Sequence, residues 1–223
     1  MWDRCSVSVR TSRKELLHLA HLLAEARFYP EIRMSRRILC RLCAAVIGIT
    51  AAAAAPHAID TKNSKITIHV SKAGALSAFG HDHTVTAPIA SGTADTEAHK
   101  VELRVEAAAL RVVDTKGSEK DHAEIQKTML GPEVLDTGRY REIVFKSTSA
   151  QAAGEGGWTV HGELTLHGQT HPVTVAVKEQ GGRYTGSAAF KQTEFGMTPV
   201  KVAGGTVKVK DELRIEFSVQ LAK

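Results

Sequence analysis

Five segments of this chain alternate apolar and polar residues with a period of two. Successive side chains of a β-strand point to opposite sides, so each segment would have one apolar face and one polar face. Strands of this kind are typical of antiparallel sheets that have water on one side. The five segments are residues 66–70, 101–106, 159–166, 173–177 and 213–221.

One stretch, residues 118–130, breaks the alternation and predicts a helix. Ser118 is suited to the N-cap position, and Asp121 in the first turn complements the helix dipole. Pro132 ends the pattern and can begin a short second turn. The sequence therefore predicts a short helical insertion at about 118–136.

Turn signals between the apolar segments divide the rest of the chain into about four strands before the helix and about five after it. Regular strands with one insertion favour a mainly β fold, a closed or nearly closed antiparallel barrel of about eight strands. A two-sheet sandwich is the alternative. The predicted turns lie at residues 154–157, 168–169, 181–182, 204–205 and 210–211.

The composition changes near position 56. Residues before it hold all three cysteines, nine of the 29 Lys and Arg, and four of the 24 Asp and Glu, so residues 56–223 carry 20 charges of each sign. The basic pI of about 9.2 therefore reflects the N-terminal part and gives no support for a nucleic-acid partner. Without cysteines, residues 56–223 must be stabilised by burial and backbone pairing.

Residues 34–55 have the order of a secretory signal peptide: a basic start, a short apolar run and an alanine tract. The apolar run is too short to span a bilayer. We expect cleavage that releases residues 56–223 as one domain, with an uncleaved anchor as the alternative. Residues 1–33 are interpreted as an upstream mis-start of translation or a disordered segment, with an amphipathic helix over 15–27 as the alternative.

The predicted inner face of the barrel is rich in small aliphatic residues, and only 5% of the chain is aromatic. A barrel of about eight strands is either filled by its own side chains or holds one small ligand. Two interpretations stay open: helix 118–130 plugs the barrel, or an elongated apolar cavity takes an acyl or prenyl chain. The residues expected to line such a cavity are Ile68, Val105, Phe145, Leu164, Phe190 and Phe217.

Residues 162–174 read Gly-Glu-Leu-Thr-Leu-His-Gly-Gln-Thr-His-Pro-Val-Thr, after Phe-Lys-Ser-Thr at 145–148. These stretches, with residues 207–215, resemble the YceI-like lipid/polyisoprenoid-binding family over about residues 57–222. The resemblance implies an exported, lipocalin-like extended barrel that holds a long isoprenoid or other apolar chain. The family's Arg-Asp-x-His-Leu-Arg stretch is replaced here by Lys-Asp-His-Ala-Glu at 120–124, so the role of that arginine does not transfer.

His81, Asp82 and His83 form the strongest metal-like feature. On a strand, residues i and i+2 point to the same side, so two imidazoles can meet one ion. A zinc site, however, needs three or four ligands, and the sequence fixes no third one. We therefore predict no metal site and no cofactor other than a bound lipid, and interpret His81, His83 and Lys191 as residues for the polar head of a ligand.

No nucleophile motif is present, so no catalytic residue is predicted. The sequence favours an exported, non-enzymatic, periplasmic protein that holds an elongated apolar ligand for transport, storage or stress protection. The ligand would be a polyisoprenoid, a quinone-like molecule or a fatty-acyl chain. Transient membrane contact during ligand exchange and a homodimer are compatible with this function. The alternative is a histidine-based metal-binding or redox accessory protein of the periplasm.

Export with processing is directly testable. If the alanine tract is the cleavage zone, N-terminal sequencing of periplasmic protein should begin between about Ala53 and Ile59. Recovery of unprocessed protein from the cytoplasm would contradict the prediction.

Overall fold

A computed structural model of the chain describes residues 55–74, 82–202 and 206–222. These residues are mainly β-strand, and the described part also contains one α-helix, α1 (Glu119–Leu130), and two 3-10 helices (Ala107–Ala109 and Gln192–Phe195). The strands are β1 (His57–Ala58), β2 (Lys65–Ala73), β3 (His83–Thr86), β4 (Ile89–Asp95), β5 (Lys100–Glu106), β6 (Arg111–Val112), β7 (Glu142–Ala152), β8 (Gly157–Leu166), β9 (Gln169–Gln180), β10 (Arg183–Lys191), β11 (Lys201–Val202) and β12 (Val207–Gln220).

The strands form one curled antiparallel sheet in the order β1-β4-β5-β7-β8-β9-β10-β12-β2-β3-β6, with β11 paired to β12. Two links bring the ends of this order together. Strand β3 pairs with β2 and leads directly into β4, which pairs with β5. Beyond β1, Ile59 bridges Leu221 after β12 and donates its N–H to the carbonyl of Gly92 at 2.9 Å. The predicted barrel-like antiparallel fold is confirmed.

The strand count differs from the prediction. Eight strands of the described residues have seven or more residues, and the four others, β1, β3, β6 and β11, have two to four. The predicted turn at 210–211 is wrong, because these residues lie inside β12, where the register against β2 shifts between Val209 and Leu213 as in a β-bulge. The predicted turn at 204–205 and the segments 1–33 and 34–54 lie outside the described residues.

Helix α1 begins with a capping box, as the sequence indicated. The hydroxyl of Ser118 accepts a hydrogen bond from the N–H of Asp121 at 3.2 Å, and the Asp121 carboxylate accepts one from the N–H of Ser118 at 3.0 Å. The Ser118 hydroxyl also donates to the Asp121 carboxylate at 2.7 Å, and this bond, with the one from the Ser118 N–H, holds the pKa of the Asp121 carboxyl below its ordinary value. The helix ends before Gly131, so the predicted helix is confirmed.

One side chain of helix α1 forms hydrogen bonds with the backbone at the edge of the sheet, while Met129 and Leu130 pack against the hydrophobic core. The amide oxygen of Gln126 accepts from the N–H of Val112, and its amide nitrogen donates to the carbonyl of Leu110, both at 2.8 Å. The side chain therefore pairs with the backbone of β6 much as a neighbouring strand would. This attachment places α1 beside one end of the curled sheet.

Two glycines of the inner face make room for aromatic rings of neighbouring strands. A Cβ atom at Gly162 would lie 2.5 Å from two ring carbons of Phe145. A Cβ atom at Gly186 would lie 2.5 Å from the ring of Phe217 and 2.0 Å from the carbonyl oxygen of Ala176. Both rings therefore approach the backbone of the sheet closely, which only glycine at these two positions allows.

We predict that Gly186→Ala destabilises the protein by about 1–3 kcal/mol, the usual cost of overpacking, because the new methyl group would overlap a backbone oxygen. Gly138→Ala is the matched control, since the position that its new methyl group would take has no neighbouring atom within 4 Å. The measurement is the free energy of unfolding in urea. Equal stability of the two variants would contradict the close approach at Gly186.

Candidate functional site

An elongated cavity of about 1110 Å³ lies inside the curled sheet. Its wall consists mainly of aliphatic side chains from the inner faces of the long strands. The volume is slightly above the ~300–1,000 Å³ typical of small-molecule sites. Helix α1 contributes Ile125, Thr128 and Met129 to one end of the lining and does not fill the space. The interpretation in which the helix plugs the barrel is therefore wrong.

The inner face is a wall around open space rather than a packed core. In β9 and β10, outward residues are exposed and most inward residues are only half-buried, because they face the cavity. The six residues expected to line a cavity all lie on its wall, and their contact with a ligand stays a prediction. They are Ile68, Val105, Phe145, Leu164, Phe190 and Phe217.

Polar side chains line the cavity where it meets helix α1, and we call this end the helix mouth. It is formed by the end of β2, the starts of β3 and β12 and the first turns of α1. Basic and acidic groups are mixed here, in contrast to the apolar wall between the two ends. The polar residues of the helix mouth are Ser71, Lys72, His83, Asp121, Glu124 and Lys208.

His83 is held in place by a buried carboxylate. Its Nδ1 atom lies 2.6 Å from Oδ2 of Asp114, whose side chain is only 2% exposed. The other carboxylate oxygen accepts the N–H of Thr84 at 2.6 Å. Asp114 therefore fixes both the His83 ring and the start of β3, so that the imidazole lines the cavity in a defined orientation.

The opposite end of the cavity is lined by residues of three β-hairpins, and we call it the turn mouth. The hairpins are β4–β5, β7–β8 and β9–β10. The rings of His99 and Trp158 are in contact here, with centroids 4.4 Å apart and planes inclined by 42°. The polar and backbone groups of the turn mouth belong to Asp95, Thr96, His99, Lys100, Gly156 and Glu179.

One phenol lines the cavity close to the turn mouth. Burial raises the pKa of the Tyr184 hydroxyl, and the nearby Glu179 carboxylate raises it further. The phenol therefore stays neutral at physiological pH and can donate or accept a hydrogen bond within an otherwise apolar wall.

The other sequence-predicted polar residues are not assembled at the helix mouth. His81 lies outside the described residues. Lys191 is exposed and does not line the cavity; its N–H donates to the carboxylate of Glu194 at 3.2 Å. Within the described ranges, no three His, Cys, Asp or Glu side chains come together as metal ligands. Of the helices in those ranges, none has the length and hydropathy of a transmembrane span.

Sequence analysis missed Asp114, Lys72, His99 and Trp158. Asp114 lies in a connection between a two-residue strand and the helix, where no periodicity marks a buried residue. Trp158 is the one tryptophan of residues 56–223. Its position next to a predicted hairpin turn was the only sequence feature that pointed to a role at the end of the barrel.

We predict that Asp114→Ala lowers the free energy of unfolding by about 1–3 kcal/mol, since it leaves the N–H of Thr84 without its acceptor. Asp114→Asn should cost less, because the amide oxygen can still accept this bond. Urea denaturation of both variants measures the difference. An unchanged stability in Asp114→Ala would show that the buried carboxylate does not hold this segment.

Comparison with known proteins gives concordant matches. The YceI-like domain family matches residues 57–221. A UPF0312 protein of Vibrio vulnificus is 30% identical over 175 residues, which cover 74% of this chain and 88% of that protein. A UPF0312 protein of Vibrio parahaemolyticus is 31% identical over 174 residues, with the same coverage of 74% and 88%.

A solved structure has a similar fold. The crystal structure of BcnA from Burkholderia cenocepacia matches with a TM-score of 0.54 at 20% identity, and the match covers 74% of this chain and 99% of that chain. At this level of identity the likeness concerns the fold.

Proposed function

This chain belongs to the YceI-like domain family, and from that premise we propose that it is a non-enzymatic binding protein that encloses an elongated apolar ligand. The ligand is a polyisoprenoid, a quinone-like molecule or a fatty-acyl chain. The observation that carries the proposal is the continuous apolar wall around about 1110 Å³ of space inside the sheet. Export to the periplasm, inferred from the signal-like segment 34–55, is part of the same proposal.

The dimensions of the cavity suit a long chain. Trp158 and Leu166 both line it, and they are eight residues apart on β8. At about 3.3 Å per residue they span roughly 26 Å along the strand. An extended chain advances about 1.2 Å per bond, as a polypeptide backbone does, so about 20 bonds match this span.

Burial of such a chain supplies the driving force. Each CH₂ group removed from water contributes about 0.8 kcal/mol, which is about fourfold in affinity. Twenty buried groups would exceed the ~4–15 kcal/mol cost of association. Affinity should therefore rise with chain length and depend weakly on salt.

The helix mouth suits the polar end of the ligand. His83 is oriented by Asp114, and Lys72 and Lys208 line the same end of the cavity. An imidazole and two ammonium groups can donate hydrogen bonds to a hydroxyl, carbonyl, carboxylate or phosphate. Ligand exchange with a membrane would then occur at this end. A homodimer stays a prediction.

The alternative, a histidine-based metal or redox accessory protein, has one supporting observation. Metal-bound histidines commonly donate their second N–H to a carboxylate, and His83 is paired with Asp114 in this way. A zinc site nevertheless needs three or four ligands, and the apolar wall is no part of such a site. We therefore propose binding of an apolar chain ahead of metal binding.

Two adjacent alanines of β10 provide a matched test. Ala188 lines the cavity, and Ala189 is exposed on the outer face. We expect Ala188→Trp to weaken binding of a fatty-acyl or prenyl chain of about 20 bonds by at least tenfold, since the indole occupies the space of two or more CH₂ groups. Ala189→Trp should bind like the unmodified protein. Isothermal titration calorimetry on delipidated protein is the measurement.

Circular dichroism and thermal unfolding show whether both variants are folded. Unmodified protein should bind longer chains more tightly up to about 20 bonds. Negligible binding of every chain, or equal weakening by the two substitutions, would rule out the cavity as the binding site.

A further inference from the structure

The turn mouth connects the cavity with the surface of the protein. Four of the residues that line it, Thr96, His99, Lys100 and Gly156, are exposed. They belong to the connections β4–β5 and β7–β8, or directly adjoin them, at the end of the sheet away from α1. The cavity therefore reaches the surface at the turn mouth, and a chain whose head lies at the helix mouth has a way out at this end.

The charged groups of the turn mouth already hydrogen-bond to backbone groups of the sheet and its turns. Asp95 accepts hydrogen bonds from the N–H groups of Glu97 and Ala98 at 3.0 and 2.7 Å. The Lys100 ammonium donates to the carbonyl of Thr148 at 2.6 Å. Glu179 accepts from the N–H of Gly182 at 2.7 Å. A polar head at this end would compete with these bonds to the backbone.

The rim next to these groups is aromatic. The indole of Trp158 is half-buried, lines the cavity and contacts the exposed ring of His99. Aromatic rings of this kind present an apolar body together with a polar edge, and they suit a boundary between an apolar interior and water. Such a rim is compatible with the passage of a hydrocarbon chain.

We propose that the cavity is an open-ended channel for chains longer than the cavity itself: the polar head stays at the helix mouth, and the tail leaves through the turn mouth beside His99 and Trp158. This inference rests on the proposed function and adds a statement about which chain lengths the protein accepts. A closed pocket rejects chains beyond a limiting length, or forces them to fold back. An open-ended channel accepts any length of unbranched or prenyl chain.

The two arrangements predict different dependences of affinity on chain length. In the channel, affinity rises up to about 20 bonds and is then constant within about twofold, because the additional CH₂ groups stay in water. In a closed pocket, affinity falls beyond the limiting length, or continues to rise while a folded-back chain fills the remaining volume.

The chain contains a natural reporter at the turn mouth. Trp2 and Trp158 are its two tryptophans, so the full chain carrying Trp2→Phe keeps Trp158 alone. Fatty-acyl probes that carry a nitroxide quench tryptophan fluorescence on contact. We expect strong quenching by a chain of about 30 bonds labelled near its twentieth carbon, and little quenching by the same chain labelled beside its head group. Quenching by the head-group label alone would overturn the proposed orientation.

A substitution at the turn mouth tests the passage itself. Ala150 lines the cavity close to Trp158, and its neighbour Gln151 is exposed on the outer face of β7. We expect Ala150→Phe to weaken binding of a chain of about 30 bonds by tenfold or more, the equivalent of about two unburied CH₂ groups. Binding of a chain of about 12 bonds should be unchanged, and Gln151→Phe should change neither.

The outcomes separate the channel from the proposed function. Tight binding of short chains together with loss of the longest chains in unmodified protein would overturn the channel and leave the apolar-ligand function standing. Failure of all chains to bind would overturn both. If Ala150→Phe does not fold, the quenching measurement and the chain-length series still distinguish the channel from a closed pocket, because both use protein with an unmodified turn mouth.

Discussion

Each long strand turns one row of apolar side chains toward the inside of the curled sheet, and within the part of the chain that the structure describes no second layer covers that row. The residues buried most completely gather at the helix end, where Phe195 and Met197 pack against Leu166 and Leu135. Ile59, Ile89 and Val219 form a second, smaller buried cluster, and many other inner residues, such as Phe145 and Phe217 beside their glycines, are only half-buried. The inner face therefore remains an apolar wall that a long apolar ligand can cover, and such a ligand would stabilise the folded state by mass action.

The polar groups at the two ends of the cavity have different structural roles. At the turn mouth, the carboxylates of Asp95 and Glu179 accept hydrogen bonds from N–H groups two or three residues further along the chain, and the exposed Lys100 ammonium donates to a carbonyl of the neighbouring strand β7. At the helix mouth, the carboxylate of Asp114 is buried and lies 30 or more residues in sequence from its partners His83 and Thr84. A buried carboxylate that orients a cavity-lining imidazole gives this end a fixed donor or acceptor, whereas the opposite end offers a rim of aromatic rings. The cavity therefore has one end that suits a polar head group and one end that suits a hydrocarbon chain.

Local patterns in the sequence predicted five of the eight long strands, β2, β5, β8, β9 and β12, together with helix α1, its Ser118 cap and six residues that line the cavity, because alternation and capping depend on near neighbours. The two-residue strands β1, β6 and β11 are too short for any period to appear, and they exist only through pairing with distant segments. The predicted turn at 210–211 failed because a polar Lys-Asp pair suits a β-bulge as well as a turn. Asp114 and the turn mouth could not be predicted, since both depend on contacts between segments far apart in the chain.

The insertion of α1 is explained by the edges of the sheet. Strand β6 ends the strand order on one side, and an unpaired edge is a site for unwanted association with other chains. Gln126 satisfies the N–H of Val112 and the carbonyl of Leu110, so the helix covers this edge. At the other edge, the chain after β1 pairs with the end of β12 through bonds of 2.8 Å from Asp60 to Gln220 and from Ala222 to Ala58. Because α1 must stay beside β6 to cover it, its first turns stay at the cavity, where Asp121 and Glu124 become part of the helix mouth. Helix α1 thus covers the edge of the sheet at β6 and also supplies polar side chains to the helix mouth.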